Sequence, residues 1–123
     1  MKMILLVGLG SFIGGIGRYL LTLLVQNRFL STFPFGTMVV NIIGCFLIGI
    51  VYGISDRGSL PAEWRIFLAT GIMGGFTTFS SFSNDTVSML RDAQYLPAFS
   101  YIAISRLIGL AATFSGISLI KFL

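Results

Sequence analysis

The sequence predicts an all-α membrane protein with four transmembrane helices, the third broken mid-span, in a single domain covering residues 1–123. Three observations carry that prediction. Of the residues 55% are apolar and 10% charged, with a mean hydropathy of +0.95, whereas a soluble domain holds roughly a quarter charged residues. Four apolar runs each reach the ~20 residues that a helix needs to cross a ~30 Å hydrocarbon layer. Near the middle of the third run, adjacent glycines give way to paired threonines and several serines, a composition that holds a helix poorly.

The runs occupy 3–25, 35–55, 64–90 and 98–122. The short segments between them hold most of the charges, and each contains or adjoins Pro or Gly. The first run carries one charge, Arg18; it is long and is followed by further spans, so it reads as a retained helix rather than a signal peptide. The second run is uncharged, with Asn41 a lone amide in its apolar interior and Thr37 one turn earlier on the same face. The third starts beside Arg65 and holds Asp85 toward its end, and the fourth holds Arg106 and Lys121.

Charge placement speaks to topology and partners. Four spans put both termini on one side with Lys2, Arg57, Arg65 and Lys121; Arg28 and Arg91, with Arg18 and Arg106 inside their helices, lie toward the other. That count is tied at four each, so both insertions are open and two opposite copies can pair as an antiparallel, dual-topology homodimer. The net charge is +4, but the basic residues stand singly between apolar runs, and no patch exists for a nucleic-acid backbone to follow. Zero His and a single Cys exclude a His-ligated or multi-Cys metal site, an intramolecular disulfide and a Cys/His nucleophile pair. No enzyme is expected. Small residues at four-residue spacing, Gly10/Gly14, Ser11/Gly15, Gly49/Gly53, Gly71/Gly75 and Ala112/Gly116, fit close helix packing and need no further role.

The chemistry concentrates between Gly71 and Asp85. A break is expected around Gly74 to Thr78, and carbonyls freed at membrane depth must be buried or bound, commonly to a monovalent cation. The alternative is a continuous kinked helix whose hydroxyls bond back to i−4 carbonyls. Phe79 and Phe82 share one face at i, i+3, and the positive edges of their rings can meet an anion; the plainer reading is packing. Asn41 and Thr37 add donors, and Tyr101, Ser105 and Thr113 form a hydroxyl stripe at i, i+4 and i+12, with Gly109 at the missing step. Donors without matching carboxylates describe a path for an anion. Arg18 and Arg106 lie too deep to face lipid, and both are read as pointing to the end where Asp85 lies, as an ion pair with it or as a positive vestibule.

These residues resemble the Fluc family of fluoride channels, also called CrcB, over nearly the whole chain. The likeness rests on Gly14-Gly-Ile-Gly-Arg18-Tyr, on Phe35-Gly-Thr-Met-Val-Val-Asn41-Ile-Ile-Gly44, and on the segment from Gly71 to Ser83. The resemblance implies an antiparallel, dual-topology homodimer with two pores that exports fluoride passively across the bacterial inner membrane. By the same resemblance Asn41 is the pore-lining amide, Phe79 and Phe82 form the aromatic box, and Thr37, Ser80, Tyr101, Ser105 and Thr113 belong to the polar track. Gly74 and Thr77 would offer backbone carbonyls to a structural sodium ion on the dimer axis. Two departures touch the vestibule: Asp85 stands where a longer Glu is expected, and Arg106 enters a stretch that is often uncharged. The rival is a small multidrug-type cation/proton exporter, but that exchange needs a membrane-embedded carboxylate, and the first run has none. A non-transporting assembly peptide would need none of the Asn41, Phe79, Phe82 and hydroxyl set.

Overall fold

The computed structural model describes residues 1–123, and every regular element in it is helical. Four helices are long and apolar enough to span a membrane: Lys2–Arg28, Phe35–Asp56, Ala62–Arg91 and Tyr95–Lys121. The protein is therefore a multi-pass membrane protein. Its outer faces carry large apolar side chains such as Phe12, Leu107 and Phe114, as helices solvated by hydrocarbon do.

One end of the bundle gathers both termini and the second loop. Lys2 Nζ pairs with Glu63 at 2.8 Å, tying the first helix to the start of the third, and Arg57 donates to the Ile120 carbonyl at 3.0 Å, closing the end of the fourth. The second helix stops where Gly58 takes φ +71°, a left-handed backbone that suits a residue without Cβ. At the other end Gln26 organises the first loop: its amide nitrogen, Nε2, donates to the Ser31 and Phe33 carbonyls, while its Oε1 accepts from the Gly36 N–H. One side chain thus satisfies a helix N-terminus and the turn before it. The third and fourth helices join through Ala93, whose φ of 57° is left-handed in a residue that has a Cβ.

Glycine contacts fix two helix pairs. A Cβ on Gly10 or Gly14 would collide with the backbone of Phe67, Gly71 or Ile72, and one on Gly75 with Ser11, so the first helix lies directly on the first half of the third. Gly49 and Gly116 do the same between the second and fourth helices. Gly15 is different: open space surrounds it, so of the Ser11/Gly15 pair only Ser11 touches another helix of the chain.

The third span is in two halves. Residues 62–76 are helical, with Ile66–Met73 wound as a π-helix, and Phe79–Arg91 is a separate α-helix. The residues that meet Gly10 and Gly14, namely Phe67, Gly71, Ile72 and Phe76, recur every four to five positions, and a turn wider than 3.6 residues keeps them on one side. Between the halves only Thr77 and Thr78 are extended, at φ/ψ of −84/156° and −148/118°. The break is narrower than the sequence suggests. Gly74 and Gly75 both stay helical, and the missing side chain of Gly75 serves close packing on Ser11 rather than chain reversal. The β-branched threonines take the extended conformation, and Thr78 Oγ1 accepts from the Ser81 N–H at 3.1 Å, capping the second half.

Candidate functional site

Beside the break lies a cavity of about 370 Å³. Asn41 comes from the second helix, Thr77, Thr78, Phe79 and Phe82 from the third, and Ser105 and Arg106 from the fourth. Cys45 is on the same wall, and the groove continues along the fourth helix past Ser105 and Gly109 to Thr113. Four of the residues read as a pore from the sequence, Asn41, Phe79, Phe82 and Ser105, therefore meet at one place.

Each has a defined setting. Asn41 Nδ2 donates to the Thr78 carbonyl at 3.0 Å, and its Oδ1 accepts from the Thr78 N–H at 2.8 Å. The amide orientation follows from that pair, since the reverse would place donor on donor. One Nδ2 proton remains for the cavity. The Phe79 and Phe82 rings sit 5.7 Å apart at 36°, Phe79 exposed and Phe82 half-buried. Ser105 Oγ is buried without a hydrogen-bond partner. A buried hydroxyl on a cavity wall costs free energy until something in that cavity bonds it.

Other predicted track residues are placed differently. Tyr101 is fully buried, does not line the cavity, and donates to Asp85 Oδ2 at 3.1 Å with Thr37 beside the pair. It packs on Phe82 with ring centroids 5.0 Å apart and edge-on to Phe33 at 5.5 Å, so it holds the Phe82 ring from behind. Thr113 bonds the Cys45 and Gly109 carbonyls at 3.0 and 3.2 Å, and its single proton is taken. Ser80 is exposed, its hydroxyl 3.2 Å from that of Thr78.

The arginines do not make the ion pair with Asp85 that the sequence allowed. The partner of Asp85 is Tyr101, and the only ion pair in the chain is Lys2 with Glu63. Arg18 Nε instead donates to the Gly75 carbonyl at 3.0 Å, next to the break, because a guanidinium at membrane depth takes the nearest unsatisfied oxygen. Arg106 stands exposed at the cavity edge beside Ser105. Both cations thus belong to the middle of the span.

The carbonyls at the break also sort themselves. An unbroken helix would send the Thr78 N–H to the Gly74 carbonyl, but Asn41 takes that proton. Gly74 O is thereby freed and Thr77 sits in extended backbone, so the oxygens fit a monovalent cation, while Gly75 O is occupied by Arg18. Thr78 and Gly75 are the functional positions that sequence reasoning missed. For Thr78 a signal was present, a Thr three residues before Ser81 at the start of a helical stretch, which marks an N-cap. For Gly75 there was none.

Comparison with known proteins shows the family. The family model described as CrcB-like protein, Camphor Resistance (CrcB), matches residues 5–117. A protein of Flavobacterium psychrophilum called fluoride-specific ion channel FluC is 42% identical over 122 residues, covering 98% of each chain. Proteins of the same name from Leptospira interrogans and Gloeothece citriformis are 44% and 45% identical, covering 98% and 96% of this chain and 95% and 96% of theirs. With a family match over most of its length and such relatives, the chain belongs to the CrcB-like family, whose members are ion channels and not enzymes.

Proposed function

We propose that this protein is a fluoride-selective channel that lets fluoride leave the cell passively across the bacterial inner membrane, working as an antiparallel, dual-topology homodimer with two pores. The observation that carries the reading is the partnerless, buried Ser105 hydroxyl on the wall that also presents a free Asn41 N–H and the Phe79 and Phe82 rings. Donors and ring edges, with no carboxylate lining the cavity, suit a small, strongly hydrated anion: they replace its water one bond at a time. Arg106 raises the local anion concentration at the cavity edge. The names of the relatives, all fluoride-specific ion channels, support the same substrate.

A second copy inserted in the opposite sense covers the exposed Phe79 ring and brings two sets of Gly74 and Thr77 carbonyls together around one structural sodium ion. Such an ion supplies positive charge that offsets repulsion among the oxygens; it takes no part in moving the anion. A proton-coupled cation exporter is disfavoured, because Asp85 is the only acidic residue deep in a span and Tyr101 engages it.

Two experiments test the reading. Expression in a bacterium lacking its own fluoride export should restore growth in acidic, fluoride-containing medium, and unchanged sensitivity would contradict it. In a Cys45→Ser background, a Cys engineered next to Lys2 and probed with an impermeant reagent on intact cells should label about half the molecules, as a tied charge count implies. Labelling of all or none would rule out dual topology.

A further inference from the structure

Asn41 does two things at once. Its amide lines the anion cavity, and both its polar atoms are turned on the peptide of Thr78, 37 residues away in sequence. One residue earlier, the Thr77 N–H still closes on the Met73 carbonyl at 3.0 Å, so helical bonding continues up to the single bond that Asn41 has intercepted. The next donor in line, the Thr78 N–H, goes to Asn41 Oδ1 and leaves the Gly74 carbonyl without its helical partner. Arg18 acts on the neighbouring oxygen in the opposite way: its Nε occupies Gly75 O and withdraws that carbonyl from any ion. A side chain on the second helix and one on the first thus select which carbonyl at the end of the first half is offered and which is not.

We propose that Asn41 is a positioning residue for the cation site as well as a wall of the anion cavity, so that the Thr78 peptide couples the two. Without an acceptor at position 41, the Thr78 N–H turns back to Gly74 O, the first half gains a residue, and the cation loses that oxygen in each protomer. This rests on the sodium reading given above. The coupling is local: the two sites share one peptide unit, and no long-range change of shape is needed to connect them.

The test is thermal unfolding of the purified full-length protein, titrated with sodium chloride against choline chloride at constant ionic strength. An ion that binds only the folded state raises Tm with its concentration, and the midpoint of that rise reports its affinity. For the unaltered protein Tm should rise with sodium and not with choline. Asn41→Ala should lower Tm in both salts and also move the sodium midpoint upward by at least about tenfold, as loss of one ligand oxygen per protomer implies. A merely structural amide would lower Tm equally in both salts and leave the midpoint in place, which would overturn the proposal. Asn41→Asp keeps an acceptor for the Thr78 N–H and adds a negative charge that favours a nearby cation, so its midpoint should rise no more than about threefold above the parent's. Equal loss of affinity in the Asp and Ala variants would also overturn it. Where Asn41→Ala does not fold, Asn41→Ser is read in its place, its hydroxyl being too short to reach the same N–H. An unaltered protein with no sodium-specific rise would refute the sodium reading itself, whereas a normal rise with an unmoved variant midpoint would refute the coupling alone.

Discussion

The two helix ends that meet at Thr77 and Thr78 are electrostatic opposites. The first half of the third span is apolar, π-wound and packed on the first helix through Gly10, Gly14 and Gly75, and it ends in carbonyls. The second half opens with a Thr78 cap and turns its first N–H groups toward the break, with Phe79 and Phe82 in its first turns. A helix carries about half a positive charge at its N-terminus and half a negative one at its C-terminus. Two extended residues therefore give this membrane-buried segment a negative and a positive pole with no ionised side chain in it. Charges buried outright would cost far more. The flanking residues follow the same division: Arg18 bonds a carbonyl of the negative end, and the donors Asn41 and Ser105 line the cavity beside the positive one.

That contrast can be broken one pole at a time. The largest effect is expected for Asn41→Asp, which sets a carboxylate against the Thr78 carbonyl and on the cavity wall, at a cost of several kcal/mol for a charge left unpaired. Fluoride efflux from reconstituted vesicles should fall to that of protein-free vesicles; normal efflux would mean the amide is only a packing group. Arg18→Leu strikes the negative pole. It leaves the Gly75 carbonyl without a donor and should lower unfolding stability by about 2 kcal/mol, read by denaturant titration in detergent. Stability equal to the parent's would show that the bond is incidental. Ser105→Ala sharpens the positive pole: the hydroxyl has no protein partner, so stability should hold or rise by up to about 1 kcal/mol while efflux slows by roughly tenfold. The reverse pattern, lost stability with unchanged efflux, would move Ser105 out of the path. Ala93→Gly lies outside both poles and relieves a left-handed backbone; it should add about 1 kcal/mol of stability and leave efflux unaltered.

The helices and the break were legible for a simple reason: hydropathy and helix-breaking composition are local properties. Its extent was not. Glycines read as breakers stayed helical because Gly75 needs to lie on Ser11, a contact between residues 64 positions apart, and the threonines broke alone. The π-helix left no trace in the apolar stretch Ile66–Met73, since its winding accompanies packing against another helix. At the site, residue types could be read as donors, but the destination of each proton could not. Tyr101, Ser105 and Thr113 look alike as a stripe, yet Tyr101 is spent on Asp85, Thr113 on backbone carbonyls, and only Ser105 is left free. Charge logic offered Asp85 as one partner for the arginines, beside a vestibule role; a phenol reached that carboxylate instead.

The cavity's donors suit a small anion, and ion efflux from vesicles carrying the purified protein measures that directly. With fluoride and chloride loaded in equal amounts and followed by selective electrodes, fluoride should empty rapidly while chloride leaves no faster than from protein-free vesicles. Chloride efflux comparable to that of fluoride, or no fluoride efflux at all, would contradict it.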